Sequence, residues 1–313
     1  MCCLFGLMDY GRRMSGRHKS LALYNLASAC EVRGTDATGV AYNSGGRLRI
    51  YKRPVVAHRM RFHIPGDAAV IMGHTRMTTQ GSARRNYNNH PFPGRTGAVG
   101  FALAHNGVLY NDVALRDSLH LPRTKIQTDS YIAVQLLQRQ NRLDFSSLRN
   151  MAEQVSGSFT FTVLDGADNL YFVKGDNPLC IYHYTDAKLL VYASTEAILR
   201  GSVRMLNLPA NLRPEKVMLR AGDILKVSSD GCFSQAAFDA SHLFPQWRVP
   251  YGVSWFPSSR SATPAPDSAE SEYIQELKSV AGAFGCSPDE IDLLLSEGFS
   301  PEELEEYLYC GEL

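Results

Sequence analysis

Seven of the eight residues in Met1-Cys2-Cys3-Leu4-Phe5-Gly6-Leu7-Met8 are apolar, and none of them marks a polar outer face. The run is short and shows no helical period, so it reads as a strand, Cys2 to Met8, apolar on both sides. Such a strand needs cover on both faces of its sheet. The downstream pattern can supply that cover. A hairpin is predicted from Val40-Ala41-Tyr42 and Leu48-Arg49-Ile50-Tyr51 around Asn43-Ser44-Gly45-Gly46. Further short strands are expected at 68–72, 101–104, 158–164, 170–173 and 189–193, and strand character continues from 206 to 238. Helices are expected at 19–32, with Leu21, Leu23, Leu26, Ala27 and Cys30 at helical spacing, and at 130–140. Strands come in runs with few helices between them, not in βαβ order. This favours an α+β protein of stacked sheets with outer helices over a doubly wound fold.

Charge divides the chain. The 313 residues carry a formal charge of +1, which singles out neither nucleic acid nor an acidic surface as a partner. From Asp267 onward, however, thirteen acidic residues face the single base Lys278, so this tail carries −12 and the residues before it +13. Such asymmetry predicts a separate module, a contact between the halves, or a solvated acidic helical face. The seven cysteines are irregularly spaced and form no CxxC pair, which argues against a disulfide framework and against a zinc or other metal site. Reduced thiols imply a cytoplasmic protein. The first apolar run is too short for a signal peptide, and no window approaches a membrane span.

Cys2 adds chemistry to the first strand. Removal of Met1 would leave one residue holding a thiol nucleophile and an α-amine of pKa roughly 7.7–8.0, a base usable near neutrality. Taken alone, Cys2 reads first as a buried, inert cysteine. Four segments at the ends of predicted strands carry further polar chemistry: Arg33-Gly34-Thr35-Asp36-Ala37-Thr38-Gly39, Gly73-His74-Thr75-Arg76 running on to Asn88-Asn89-His90-Pro91, His105-Asn106-Gly107, and Thr128-Asp129-Ser130. Each has a plain structural alternative. Asn-Gly is a common tight-turn pair, Asp129 resembles a helix cap, Arg76 can pair with a structural carboxylate, and the three histidines can be core residues.

As an ordered set behind Cys2, these segments resemble the class II glutamine amidotransferases, which are N-terminal-nucleophile hydrolases. The resemblance covers residue 1 to about 240. It implies a four-layer αββα fold and a glutaminase reaction without cofactor or metal. It implies that Cys2 attacks the glutamine side-chain amide while its own α-amine moves the proton. Asn106 and Gly107 would form the oxyanion hole, Arg76 would grip the substrate α-carboxylate, and Asp129 would hold the α-ammonium. Thr79 and His105 would complete the substrate-binding set. Ammonia leaves first, and water then hydrolyses the γ-glutamyl thioester.

The departures from that pattern are Cys3 in place of glycine, Met77 in place of tryptophan, and Thr78-Thr79-Gln80 in place of Ala-Thr-His. The expected organisation is an amidotransferase domain at 1–250, a Pro/Ser/Ala-rich linker at 251–269 and an acidic three-helix module at 270–313. The module carries cap signals at Ser287-Pro288-Asp289-Glu290 and Ser300-Pro301-Glu302-Glu303. In cap spacing it is similar to ubiquitin-associated bundles. About 44 residues are too few for an ammonia-consuming synthase domain. The expected partners are therefore glutamine and a separate synthase subunit, with self-association into a homo-oligomer also open, and neither nucleic acid nor membrane. Two other readings stand beside this one: an N-terminal-nucleophile amidase for another amide, and a low-turnover glutamine-sensing or partner-binding protein.

Overall fold

The first strand, β1 (Cys3–Asp9), is buried at every position, as its sequence demands. The computed structural model describes residues 2–97, 99–204, 206, 208, 209, 212–243, 274, 277, 278, 287–296, 301 and 304. It divides into two compact units, Met1–Gln246 and Trp247–Leu313.

In the first unit, α1 (Gly16–Ala29) follows β1 and is capped by the Ser15 side chain. The hairpin β2 (Ala37–Ser44) and β3 (Arg47–Arg53) comes next, then β4 (Val70–Arg76), β5 (Phe92–Thr96) and β6 (Val99–Leu109). Three helices follow: α2 (Asp112–Ser118), α3 (Tyr131–Gln140) and α4 (Phe145–Gln154). The chain then forms β7 (Gly157–Asp165), β8 (Leu170–Lys174), β9 (Cys180–Tyr184), β10 (Leu189–Ala193), α5 (Glu196–Val203), β11 (Glu215–Val217), β12 (Asp223–Val227) and β13 (Phe233–Ala237). Two sheets result, one of seven strands ordered β11-β9-β10-β1-β4-β2-β3 and one of six ordered β13-β12-β8-β7-β6-β5.

Alternation of side chains sorts the core into three seams. Cys3, Phe5 and Leu7 of β1 pack beneath α1 and α5 with Leu23, Leu26 and Leu199. Leu4 and Met8 face the other way and meet Ala102, Ala104, Leu164 and Phe172 of the second sheet. On the far side of that sheet, Phe101, Leu103, Phe159 and Phe161 pack against Ile132, Leu136, Leu148 and Met151 of α3 and α4. The order helix, sheet, sheet, helix is the expected four-layer αββα arrangement.

Two expectations are corrected. Gly73–Arg76 and His105–Gly107 do not follow their strands; they lie inside β4 and β6. Asn106-Gly107 is not a turn, because it pairs with Thr160 and Phe159 of β7, and the ladder overrides the local turn preference. In the second unit, α6 (Pro288–Ser296) opens with the predicted capping box: Glu290 N donates to Ser287 Oγ at 3.2 Å, and Ser287 N donates to Glu290 Oε2 at 2.7 Å. Leu277, Ile291 and Leu304 form a small buried cluster there. The expected linker 251–269 and most of the expected module 270–313, including Ser300, lie outside the described residues. No helix among the described residues is long and apolar enough to cross a membrane.

Candidate active site

Strand parity gathers the candidate residues. On β1 the even-numbered residues face the seam between the sheets, and so do Val70 and Met72 of β4 and Ala102 and Ala104 of β6. Continued along each strand, this period places Cys2, Arg76 and Asn106 on that same side. The β1–β4 register pairs Cys3 with Thr75, so its next step sets Cys2 opposite Arg76. A one-residue slip would turn all of these side chains to the wrong face. Arg33 fixes the start of the strand by donating from Nε to the Cys2 carbonyl at 3.3 Å.

The Cys2 thiol donates to the Met77 carbonyl at 3.4 Å. Burial pushes its pKa up; the Met77 backbone and the Arg76 guanidinium pull it down, and Asp129 pushes it up again. Cys3 points to the opposite face, fully buried beneath α1. It sits beside Cys30, whose thiol burial drives to a higher pKa.

Arg76 is buried, and all its hydrogen-bond partners are neutral. Nη1 donates to Asn89 Oδ1 at 2.7 Å, and Nη2 donates to the carbonyls of Gln80 and Gly81 at 2.5 and 2.9 Å. Burial lowers its pKa, while Cys2, Asp36 and Asp129 act to raise it. No structural carboxylate forms an ion pair with it among the described residues, so the ion-pair alternative for Arg76 fails. The loop after β4 is tied down from below. Asn89 Nδ2 donates to the Ala83 carbonyl at 2.8 Å, and Asn88 Nδ2 donates to the Ser82 carbonyl at 3.1 Å. Thr79 lies exposed on this loop.

Asp129 is not a helix cap, since Ser130 holds that position on α3. Its Oδ2 accepts from Leu109 N at 2.6 Å, and its backbone N–H donates to Gln80 Oε1 at 2.9 Å. Gln80 thus touches both charged residues, Arg76 through its carbonyl and Asp129 through its side chain. Asn106 is fully buried, and neither its Nδ2 nor its Oδ1 has a hydrogen-bond partner among the described residues. Beside it, Gly107 has φ +138°, and a Cβ there would lie 1.9 Å from the Ser158 carbonyl oxygen, so no side chain fits.

His105 differs from the expectation of substrate contact. By strand parity its ring is on the helix side of β6, with Nδ1 2.8 Å from Ser130 Oγ and the ring stacked on Phe161 at 4.7 Å between centroids. Its contacts there are with α3 and the core. His74 Nε2 donates to the His105 carbonyl at 3.0 Å, joining the two sheets, and its ring lies 4.2 Å from that of His90. Burial holds all three imidazoles neutral: it lowers the pKa of His74 to about 3, that of His90 well below its usual value, and that of His105 as well. The sequence placed Gln80, Asn88 and Asn89 in the resembling segments without assigning them bonds, and gave Lys52 no site role. The signal for Lys52 was its parity, a cation at an inward position of a strand.

Comparison with known proteins bears on the family and the fold. Residues 74–200 match the glutamine amidotransferase domain family. The glutamine–fructose-6-phosphate aminotransferase (isomerizing) of Halobacterium salinarum is 30% identical over 188 residues, covering 58% of this chain and 30% of that protein. The enzyme of the same name from Streptococcus pyogenes is 32% identical over 190 residues, with 58% and 30% covered. The Thermus thermophilus enzyme is 28% identical over 238 residues, with 74% and 36% covered. The matched region thus spans about a third of the length of these relatives. Among solved structures, the glutamine phosphoribosylpyrophosphate amidotransferase from B. subtilis superposes with a TM-score of 0.59 at 20% identity, over 76% of this chain and 49% of that one. A structure described as the allosteric regulatory enzyme of purine biosynthesis gives 0.61 at 19% identity, with the same coverage. Both share the fold.

Proposed function

This chain carries a glutamine amidotransferase domain, and we propose that it hydrolyses glutamine through Cys2 and hands the ammonia to a separate synthase subunit. Once Met1 is removed, the Cys2 α-amine takes the thiol proton, directly or through water, and the sulfur attacks the γ-carbonyl carbon. Asn106 Nδ2–H and the Gly107 N–H receive the oxyanion. The proton passes to the leaving nitrogen and ammonia departs. Water then cleaves the γ-glutamyl thioester to glutamate and the free thiol. Arg76 holds the α-carboxylate and Asp129 the α-ammonium. Thr79 borders the substrate from the loop, and His105 braces β6 beneath Asn106 through Ser130.

The observation that carries this reading is the Asn106 amide, fully buried with both polar atoms unpartnered among the described residues, on the face that Cys2 and Arg76 share. A buried amide left without partners is costly, and an oxyanion supplies the missing acceptor. The buried Arg76 with only neutral partners, together with Asp129, favours a free amino acid over other amides. Cys2→Ala should abolish glutamate release, and intact mass should show the loss of Met1. Glutamate release by Cys2→Ala, or a fully retained Met1 in active protein, refutes the mechanism.

A further inference from the structure

Lys52 is an internal cation on an edge strand. Along β3, Arg47, Arg49, Tyr51 and Arg53 are exposed, while Leu48, Ile50 and Lys52 alternate inward. An apolar residue would satisfy that period. Lys52 instead lays its ammonium 5.0 Å from the centroid of the Phe92 ring. The ammonium donates to the backbone carbonyls of Asn89 and Pro91, the latter at 3.0 Å. Asn86 Nδ2 donates back to the Lys52 carbonyl at 2.8 Å. Both acceptors of the Lys52 ammonium are neutral, an arrangement that costs free energy unless it is used.

The bond to Asn89 leads to the site. Asn89 has its carbonyl held by Lys52 and its Oδ1 on Arg76 Nη1 at 2.7 Å. The chain Lys52–Asn89–Arg76 therefore ends on the guanidinium assigned above to the α-carboxylate. The titratable groups that act on Lys52, or that it acts on, are Arg76 and His74 from β4 and His90 from the turn between Asn89 and Pro91. Burial holds the two histidines neutral, and Arg76 stays charged through the neutral range.

We propose that Lys52 is a positioning residue for recognition of the α-carboxylate of glutamine: its ammonium ties down the Asn89–Pro91 turn so that Asn89 presents Arg76, and its charge reinforces that of Arg76. This rests on the assignment of Arg76 under the proposed function. Burial, with the Arg76 charge beside it, lowers the Lys52 pKa to about 8. Below that pH the ammonium is present and glutamine binding is at full strength. As pH rises through it the charge is lost, so KM rises while kcat changes little.

The test is glutamate release by the full chain from pH 6.5 to 9, with KM and kcat resolved, for wild type, Lys52→Arg and Lys52→Met. Titration of the substrate's own ammonium is common to all three forms and cancels in their ratios. The wild-type KM relative to that of Lys52→Arg should climb roughly fivefold from pH 7 to pH 9, about the worth of one hydrogen bond at the carboxylate. Lys52→Met should show a raised KM throughout with no step near pH 8. A wild-type to Lys52→Arg ratio that stays flat overturns the proposal, and it does so even if Lys52→Met fails to fold. With hydrolysis present and dependent on Cys2, that flat ratio removes Lys52 alone. Absence of hydrolysis, or hydrolysis that survives Cys2→Ala, removes the proposed function and this inference together.

Discussion

The two sides of the candidate site are built by opposite means. On the β4 side, Arg76 is held by Asn89, Gln80 and Gly81, and the loop beyond it by Asn88 and Asn89. On the β6 side, Asn106 is also buried and, among the described residues, has no partner for either amide atom. A group that recognises the ground state gains from being fixed before substrate arrives, because less ordering remains to be done on binding. A donor meant for the transition state gains from having nothing else to bond, because its contribution then appears only as charge develops on the substrate oxygen. On the proposed roles, burial would serve binding on one side and catalysis on the other.

The sharpest way to break this contrast is Asn106→Ala. Removing one oxyanion donor should lower kcat by roughly 10²–10³-fold, with KM for glutamine nearly unchanged. Because the amide leaves no hydrogen bond behind, the melting temperature should hold or rise. A large fall in stability, or a loss confined to KM, would mean that Asn106 is a structural residue after all. Asn89→Ala probes the other side and should behave in the reverse manner. It removes a neutral acceptor from a charged donor, so KM should rise about tenfold with kcat preserved. Stability should drop by about 1–3 kcal/mol, because the Ala83 carbonyl and the Arg76 guanidinium each lose a buried partner. Steady-state kinetics paired with denaturant unfolding separates the two patterns.

Much of this was legible in the chain itself, for identifiable reasons. The double-faced burial of β1 followed from an apolar run without alternation. Cys2, Arg76, Asn106 and Asp129 stood in ordered segments whose chemistry fits one reaction. What sequence could not show was where strands end. The Asn106-Gly107 pair has strong turn character locally, and only its pairing with Thr160 and Phe159 of β7 keeps it extended. Asp129 has the residue type of a cap, but Ser130 holds that place and the Asp129 carboxylate accepts from Leu109 N. The short elements β5, β9, α2, α4 and α5 were missed. Two of these helices carried readable caps, Asp144 with Ser147 for α4 and Thr195 for α5. Gln80, Asn88 and Asn89 act largely through their side-chain amides, and which backbone groups and side chains those amides reach depends on the folded loop.

The smallest expected effect tests the neighbouring thiols, where the same contrast is compressed into two residues. Cys2 and Cys3 are adjacent in sequence but point to opposite faces of β1. Cys2 shares a face with Arg76 and Asn106. Cys3 packs with Leu23, Leu26 and Cys30 beneath α1, while next to it Leu4 N donates to Ser194 Oγ at 2.8 Å. Cys3→Ala removes one buried sulfur from a packed seam and should lower stability by about 1 kcal/mol. Glutamine turnover should stay within about twofold of wild type, since an error of that size in transition-state energy is well under 1 kcal/mol. Alkylation of the native protein should modify Cys2 while Cys3 stays protected until unfolding. If Cys3→Ala folds normally yet releases no glutamate, the two faces of β1 have been assigned the wrong way round, and the register that sets Cys2 opposite Arg76 is wrong with them.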